Sequence, residues 1–252
     1  MRRLTFTLLL ALAACGTPDA PEPPDEPSSE PEPPALRVEI DSLTARDAAL
    51  NYDVAIAYPQ IAGSDTPAVA RVNRSIRDSL AVFAASLKPR PSDFTNSPEM
   101  DQMIIGEAEG GPRRTYLGDR LFSSRVDVYA FTGGAHGNLF SFPLTYDLAT
   151  GEAIRLGTLF RNGTAWRDTL AVLTTARLAA AQDTSWLFDD QVPATSGSFA
   201  FFTLGADSLT LFFPPYAIAP YAAGAFEVTL PYTDLSSVLS PSGPVADLLR
   251  ED

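Results

Sequence analysis

Hydrophobic and polar positions alternate near residue 50, and a second pattern with a longer period follows. The alternation over 50–58 is typical of a half-buried β-strand. Further along, Thr66 and Pro67 match a helix N-cap followed by a first-turn proline, and apolar residues then recur every three or four positions. This stretch predicts a helix whose single apolar stripe lies across a sheet. The alternating residues are Leu50, Tyr52, Val54, Ile56 and Tyr58, and the helical stripe contains Val69, Val72, Ile76, Leu80, Phe83 and Leu87.

A similar order of elements recurs in the second half of the chain. Between 115 and 160, strand-like runs flank the turn sequence TGGAHG, and a second helix is predicted at 164–181. After an acidic loop at 183–197, the runs FAFFTL, SLTLFF and FEVTLPY predict three more strands. This order favours an α+β fold with two similar lobes, each an antiparallel sheet with a packed helix. We place the lobes at residues 36–140 and 141–252.

The N-terminus has the features of an export signal. Arg2 and Arg3 precede the apolar run LTFTLLLALAA, about half as long as the roughly 20 residues of a membrane-spanning helix. The following LAAC sequence resembles a bacterial lipobox, which predicts removal of residues 1–14 and attachment of lipid, such as palmitate, to Cys15. Because Cys15 is the only cysteine, no internal disulfide is expected. Gly16 favours the outer membrane as destination, and a plain signal peptide with a chance cysteine is the alternative.

Residues 15–35 predict a spacer between the lipid and the lobes. From residue 16 onward this segment contains eight prolines and six acidic residues, with no basic side chain. It cannot bury enough apolar surface to fold, and extended polyproline II would let it reach about 60 Å from the bilayer. A ligand for a proline-binding partner is the alternative interpretation.

The charge of the chain is strongly negative. The sequence has 18 basic and 31 acidic residues, a net charge of −13, and removal of Arg2 and Arg3 brings this to −15. This argues against nucleic acid and against docking of the lobes on anionic lipid. The negative charge either favours a basic partner or only keeps the protein soluble.

Few groups for catalysis or metal binding are present. His136 is the single histidine and no G-x-S-x-G motif occurs, while a zinc site needs several His or Cys ligands. Asp189-Asp190 is a Ca²⁺ candidate, but without EF-hand spacing a solvated acidic loop is the preferred interpretation. Paired carboxylates for glycoside hydrolysis remain open. We therefore predict no catalytic residue, no metal and no cofactor.

Two uncharged motifs supply the candidate ligand contacts. In TGGAHGN, three glycines around His136 suit a turn with positive φ, and His136 and Asn138 are either ligand contacts or parts of that turn. In FFPPYAIAPYAAG, residues 212–224, three prolines fix a stiff connection between two strands. Its aromatic residues are expected to pack into the sheet edge, with an exposed binding ridge as the alternative. The large apolar residues of this corner are Phe212, Tyr216, Ile218 and Tyr221, and we take Tyr216 and Tyr221 as candidate ligand contacts.

Four stretches together resemble a known family of paired extracytoplasmic domains. YDVAIAYPQIAG, GGAHGN, YDLATGEAIRLGTLF and FFPPYAIAPYAAGAFEVTLPYTDL are similar to PdaC-like and RsiV-like domains over roughly residues 45–238. The resemblance implies an α+β fold in which the helix of each half packs on an antiparallel sheet. Relatives include the lysozyme-sensing part of a membrane-bound anti-sigma factor and the non-catalytic region beside a peptidoglycan deacetylase domain. This sequence shows no sigma-binding segment, no spanning helix and no deacetylase domain.

These observations predict a lipid-anchored binding module of the cell envelope without catalysis. The expected ligand is peptidoglycan or a basic envelope protein such as a lysozyme-like enzyme, and the expected location is the outer membrane, facing the periplasm or the surface. A carboxylate-dependent cell-wall hydrolase is the alternative function. A purely structural lipoprotein is a third.

Overall fold

A computed structural model describes the chain from Ala35 to Leu249, with short gaps. The described residues are 35–94, 97, 101, 103–181, 185–189, 191–195 and 197–249. The predicted signal peptide, Cys15, the spacer up to Pro34 and Asp190 lie outside them. Within the described part, no helix is long and apolar enough to cross a membrane.

The first lobe is built on a six-stranded sheet whose strands lie in chain order. Neighbouring strands are antiparallel except β2 and β3, which are parallel. The helix α1 connects β2 to β3, as a parallel pair requires a crossover. The strands are β1 Arg37–Asp47, β2 Tyr52–Ala62, β3 Gly106–Leu117, β4 Leu121–Phe131, β5 Asn138–Asp147 and β6 Glu152–Ala153, and α1 spans Pro67–Ser86.

The predicted apolar stripe of α1 covers one face of this sheet. Thr66 caps the helix, its hydroxyl accepting a hydrogen bond from the backbone N–H of Val69 at 3.3 Å, and Pro67 is the first helical residue. The helix buries Val69, Val72, Ile76, Leu80 and Ala84 against alternate residues of the strands. The prediction of a helix lying across a sheet is confirmed.

The second lobe contains a three-stranded antiparallel sheet with strand order β7-β8-β9. Its helix α2 follows the predicted pattern and buries Leu170, Ala171, Thr174 and Leu178. A separate core forms between this helix, the three strands and the C-terminal segment. The elements are α2 Trp166–Ala181, β7 Phe202–Leu204, β8 Ser208–Phe213, β9 Phe226–Pro231 and the short helix α3 Tyr232–Leu235.

Strand β4 joins the two lobes because its faces belong to different cores. Phe122, Val126 and Val128 point into the core under α1, whereas Leu121 belongs to the core of the second lobe. The Ser123 hydroxyl, on the same side as Leu121, accepts a hydrogen bond of 2.8 Å from the backbone N–H of Leu204 in β7. The described lobes therefore form one compact unit.

The α+β fold class is confirmed, and the structure adds detail to the predicted elements. The two sheets are unequal, with six and three strands. The first alternating strand begins at Tyr52 and not at Leu50, because Leu50 lies in a 3₁₀ turn at Ala48–Leu50. The run after residue 152, which we expected to be strand-like, contains another 3₁₀ turn at Leu156–Leu159. The position between residues 140 and 141, where we divided the lobes, falls inside β5, so the first sheet continues to Ala153.

Candidate functional site

The face of the first sheet opposite α1 is open over parts of β2, β3 and β4, away from the second lobe. Strand pairing places residues on this face in rows across the sheet. Asp53, Glu107 and Phe131 form one row, because Asp53 is opposite Glu107 and Glu107 is opposite Phe131. The next row contains Ala55, Glu109 and Tyr129. Paired residues on neighbouring strands share a face, so three carboxylates and two aromatic rings lie side by side.

These two rows line a shallow groove of about 410 Å³, which we call the acidic groove. Asp53, Glu107, Glu109 and the Tyr129 ring are exposed. Arg46 approaches Asp53 at 3.5 Å in a solvent-exposed pair, but neither glutamate has an ion-pair partner among the described residues. The groove therefore presents two uncompensated negative charges beside aromatic surface.

An aromatic stack lies beside the acidic groove and joins the two lobes. The His136 ring, from the turn between β4 and β5, stacks on the Tyr221 ring of the second lobe, with centroids 4.1 Å apart and planes 21° apart. The Tyr216 ring meets Tyr221 at 5.5 Å in a tilted arrangement. The sequence motifs TGGAHGN and FFPPYAIAPYAAG thus come together in space, although about 80 residues separate them.

The backbone of Gly137 connects the stack to the groove. Its carbonyl oxygen accepts a hydrogen bond from the Tyr221 hydroxyl at 3.0 Å and lies 2.9 Å from Nδ1 of His136. Since a carbonyl only accepts, this contact is a hydrogen bond when Nδ1 carries a proton. The N–H of Gly137 donates to the Tyr129 hydroxyl at 3.1 Å. Tyr129 therefore belongs to the groove through its ring and to the stack through its hydroxyl.

The proline-rich corner is partly buried and partly exposed. Phe212 and Ile218 are buried in or against the second core, as the packing prediction requires. Tyr216 departs from that prediction, because the residue is 56% exposed. Its backbone has φ 70°, a left-handed conformation uncommon for a bulky residue. Tyr221 is intermediate in exposure.

Asn138 is separated from the other predicted contacts. It is opposite Ala130, whose side chain is buried in the core under α1. Strand alternation places Asn138 on that face, whereas Tyr129 lies on the open face. The structure therefore brings together His136, Tyr216 and Tyr221, and leaves Asn138 exposed on the opposite side.

A buried ion cluster fixes the joint between the lobes next to this surface. The Arg125 side chain, only 5% exposed, donates to both carboxylate oxygens of Asp127 at 2.8 Å and to Glu227 of β9 at 3.0 Å. Its guanidinium lies 3.7 Å from the centre of the Phe212 ring. Arg114, at a bulge in β3, also binds Glu227. Carboxylates from both lobes thus compensate the buried positive charge of Arg125.

The charge of Glu227 depends on its arginine neighbours. Burial raises the pKa of this carboxyl, but hydrogen bonds and positive charge from Arg114 and Arg125 together outweigh burial, so its pKa lies below the usual range. Glu227 is thus held as a carboxylate. The cluster has a structural role in joining β9 to β4.

The acidic groove was not among the predicted sites. In the sequence, Glu107 and Glu109 alternate with small residues and Asp53 belongs to a different strand candidate, so only the β2–β3 pairing reveals that they are neighbours. Alternation of acidic and small residues in GEAEGG was the available signal. Within the described part of the chain, no group of three or more His, Cys, Asp or Glu residues is arranged to hold a metal ion.

Comparisons with known proteins identify two family regions. The family model described as Deacetylase PdaC matches residues 47–139, and the model described as Protein of unknown function (DUF3298) matches residues 157–233. The His136 turn lies in the first region, and Tyr216 and Tyr221 lie in the second. No curated protein matches the chain.

Solved structures share the fold. A DUF3298 family member from Bacteroides fragilis NCTC 9343 superposes with a TM-score of 0.64 at 16% identity, covering 87% of this chain and 99% of that one. A DUF3298 family protein from Pseudomonas aeruginosa PAO1 gives a TM-score of 0.55 at 18% identity, covering 83% and 96%. At these identities the likeness concerns the fold alone.

Proposed function

Because the chain combines a PdaC-like domain with a DUF3298 domain, we propose that it is a non-enzymatic binding module of the cell envelope. In this proposal, lipid on Cys15 anchors the chain and the open sheet face of the first lobe binds a basic protein. The observation that supports it is the acidic groove, where Glu107 and Glu109 are exposed beside the Tyr129 and Phe131 rings and have no cationic partner in the part of the chain that the structure describes.

Charge favours a basic protein over peptidoglycan as the ligand. The chain has a net charge of −13, and a negative surface attracts a cationic partner and accelerates its association. Peptidoglycan stem peptides bear carboxylates, which the groove repels. The aromatic rings add apolar and cation–π contacts for lysine or arginine side chains. A lysozyme-like enzyme, which is a compact basic protein, is a suitable partner.

Binding to purified lysozyme and to insoluble peptidoglycan tests this proposal. We expect the mature chain to be retained on lysozyme at low salt and less at moderate salt, because exposed charges are screened. A Glu107→Gln/Glu109→Gln double variant is expected to lower the association rate by about tenfold. Asp65→Asn, at an exposed position just before α1 and outside the groove lining, is the control for loss of a charge. No retention on either ligand would refute the proposal, and retention on peptidoglycan alone would replace the basic protein as the ligand.

The envelope location is tested separately through the predicted anchor. Cells supplied with a labelled palmitate analogue should incorporate label into the natural chain but not into a Cys15→Ser variant. The natural chain should fractionate with outer membrane, and the variant should be released by washing. An unlabelled natural chain in the cytosol would contradict both the lipid and the location.

A carboxylate-dependent cell-wall hydrolase is the second candidate function. Asp53 and Glu107 are opposite each other on neighbouring strands. The groove therefore contains a pair of neighbouring carboxylates, and a glycosidase uses such a pair for catalysis. Incubation of peptidoglycan with the natural chain and with Glu107→Gln separates the two functions. Release of soluble fragments by the natural chain but not by the variant would favour the hydrolase over the binding module.

A further inference from the structure

Strand β1 forms a long, regular edge of the six-stranded sheet. Among the described strands it pairs with β2 alone, and its eleven residues follow one register without a bulge. Strands are commonly about five or six residues long, and proteins usually protect an exposed edge with lysine, proline or a bulge. The β1 sequence RVEIDSLTARD contains neither lysine nor proline. Its outer side is therefore a template on which a further strand can pair.

The backbone groups on this outer side belong to the even-numbered residues of β1. The carbonyl of Asn51, just before β2, accepts a hydrogen bond from the N–H of Gly106 at 2.9 Å. Odd-numbered residues of β2 therefore point toward β3, and even-numbered ones bond to odd-numbered partners in β1, as Tyr58 does opposite Asp41. The N–H of Ser42 agrees with this alternation, because it donates to the Asp41 side chain at 2.7 Å.

The charges of β1 select one register for pairing with a second copy of itself. Outward-facing residues must lie opposite one another, so the two-fold axis of an antiparallel pair passes through a residue. Centring the pair on Ser42 places Arg37 of each copy opposite Asp47 of the other. Centring it on residue 40, 41, 43 or 44 instead places two acidic residues directly opposite each other, which is destabilising.

We propose that β1 pairs antiparallel with β1 of a second copy of this chain, in the register centred on Ser42. This inference does not depend on the proposed function. The outward-facing residues of the two strands exchange about ten hydrogen bonds, and the two six-stranded sheets become one continuous sheet. At the centre, the N–H of Ser42 exchanges its bond to the Asp41 carboxylate for a carbonyl of the other copy.

Both ends of this pairing are electrostatically balanced. In one copy, Arg37 binds Glu39 at 2.6 Å and Lys88 binds Asp47 at 3.0 Å, and all four side chains retain exposure to solvent. Bringing Arg37 opposite Asp47 of the other copy collects two cations and two anions at each end. Because residues 37 and 47 are odd-numbered, they form a non-hydrogen-bonded pair, in which side chains approach most closely.

The pairing also places the acidic grooves of the two copies on the same side. Thr44 is opposite Ala55 and Arg46 is opposite Asp53, so even-numbered residues of β1 share the open face with the groove. In the dimer even-numbered residues are opposite even-numbered residues, and the two open faces are therefore continuous. A ligand with two binding segments gains affinity from such an arrangement.

Sedimentation velocity over a concentration series at low salt tests the pairing. The parent chain has Cys15→Ser, which removes the only cysteine, and we expect it to form dimers. Arg37→Asp and Asp47→Arg each place like charges opposite one another at both ends and should weaken the dimer about tenfold or more. An equimolar mixture of these two variants should dimerise again, because opposite charges then meet at both ends. Arg74→Asp, at an exposed position on α1, is the control and should not weaken the dimer.

Cysteine crosslinking tests the register. In the parent chain, Ser42→Cys places the thiols of the two copies opposite each other, within reach of a disulfide. Ile40→Cys lies on the same strand and the same face, but four residues of offset separate its two copies by about 14 Å. Mild oxidation should therefore link the Ser42→Cys dimer and leave Ile40→Cys unlinked.

Several outcomes would overturn the proposal. A parent chain that sediments as a monomer throughout leaves the edge unpaired or available to a different protein, and dimers unaffected by either charge reversal belong to another surface. Failure of the mixture to dimerise, with both variants folded by circular dichroism, excludes the charge pairing. Equal crosslinking of Ile40→Cys and Ser42→Cys excludes the register. Since Arg37 and Asp47 do not line the acidic groove, lysozyme binding reports on the proposed function independently.

Discussion

Arg125 places a positive charge in the joint between the lobes, where water has little access to it. Both oxygens of Asp127 bind its guanidinium, and the Ser141 hydroxyl donates to Asp127 at 2.6 Å. A charge this buried depends on its partners, since isolation in a low dielectric costs more than the pair gains. The bidentate geometry also fixes the direction in which Arg125 reaches Glu227.

Asp127→Asn is therefore expected to destabilise the protein strongly. Loss of the carboxylate leaves Arg125 with Glu227 alone, and the free energy of unfolding should fall by about 3 kcal/mol. Asp78→Asn is the control, because Asp78 pairs with Arg77 at 3.3 Å with both side chains over half exposed, and it should change stability by less than about 0.5 kcal/mol. Urea denaturation measures both. Equal effects would mean that the buried cluster contributes no more than a surface pair.

The lowered pKa of Glu227 predicts how stability depends on pH. An acid whose pKa is lower in the folded state stabilises the protein above its unfolded pKa of about 4.3 and loses that contribution as the pH falls through the folded value. The difference in unfolding free energy between the natural chain and Glu227→Gln should be constant near neutral pH and shrink below about pH 4. Chemical denaturation from about pH 7 to about pH 3 measures it. A difference that grew on acidification would contradict the assigned shift.

At the level of elements, β3 depends on its close approach to β4. A Cβ added to Gly110 would lie 2.2 Å from the carbonyl oxygen of Asp127 and 2.7 Å from the Cα of Val128. The next residue differs, since a Cβ on Gly111 would meet only the Cβ of Ala57 at 3.7 Å, an ordinary contact. The two adjacent glycines thus provide a matched pair.

Gly110→Ala is expected to lower the free energy of unfolding by about 2–3 kcal/mol, because backbone atoms of β4 must move. Gly111→Ala should change it by less than about 1 kcal/mol. Thermal or urea denaturation of the two variants compares them directly. If Gly111→Ala were the more damaging, the register of β3 against β4 would be wrong.

The elements that the sequence predicts well are those with a one-sided apolar pattern. Helix α1 has a cap, a first-turn proline and a stripe, and β2 alternates clearly, so both follow from local signals. Strands β1 and β3 were not predicted. β1 is an edge strand with mostly exposed or half-exposed side chains, and the run GEAEGGPRR of β3 has glycines and charges that local strand propensity disfavours. Pairing with β2 and β4 overrides that propensity.

At the scale of the whole molecule, the candidate site combines local and non-local information. The His136 turn and the Tyr216 corner were identified from composition, because glycine and proline mark fixed turns. Their stacking through Tyr221, and the acidic rows across β2 and β3, depend on long-range pairing between segments tens of residues apart. A periodic pattern in one segment contains no information about which strand becomes its neighbour. The prediction that the corner packs into the sheet edge failed at Tyr216, which is exposed in a turn where its backbone is left-handed, a conformation that no periodic pattern announces.

The shared strand β4 and the ion cluster predict that the two lobes unfold together. Leu80 is fully buried under α1 in the first core, whereas Trp166 packs on the second core, its ring stacked on Phe160 at 4.6 Å. Leu80→Ala in a Trp186→Phe background should lower the free energy of unfolding by about 2–5 kcal/mol. If the lobes are coupled, Trp166 fluorescence and far-ultraviolet circular dichroism shift to the same lower urea concentration.

Val82→Ala distinguishes loss of core packing from any general effect of truncating α1. Val82 is exposed on the same helix, and its variant should leave the midpoint nearly unchanged. A Trp166 transition that stayed in place while circular dichroism shifted would show that the second lobe unfolds alone. In that case contacts across the joint would contribute little to the stability of either lobe. Coincident transitions instead mean that the joint, including the stack of His136 on Tyr221, is already ordered in the free protein, so that a partner would not have to order it on binding.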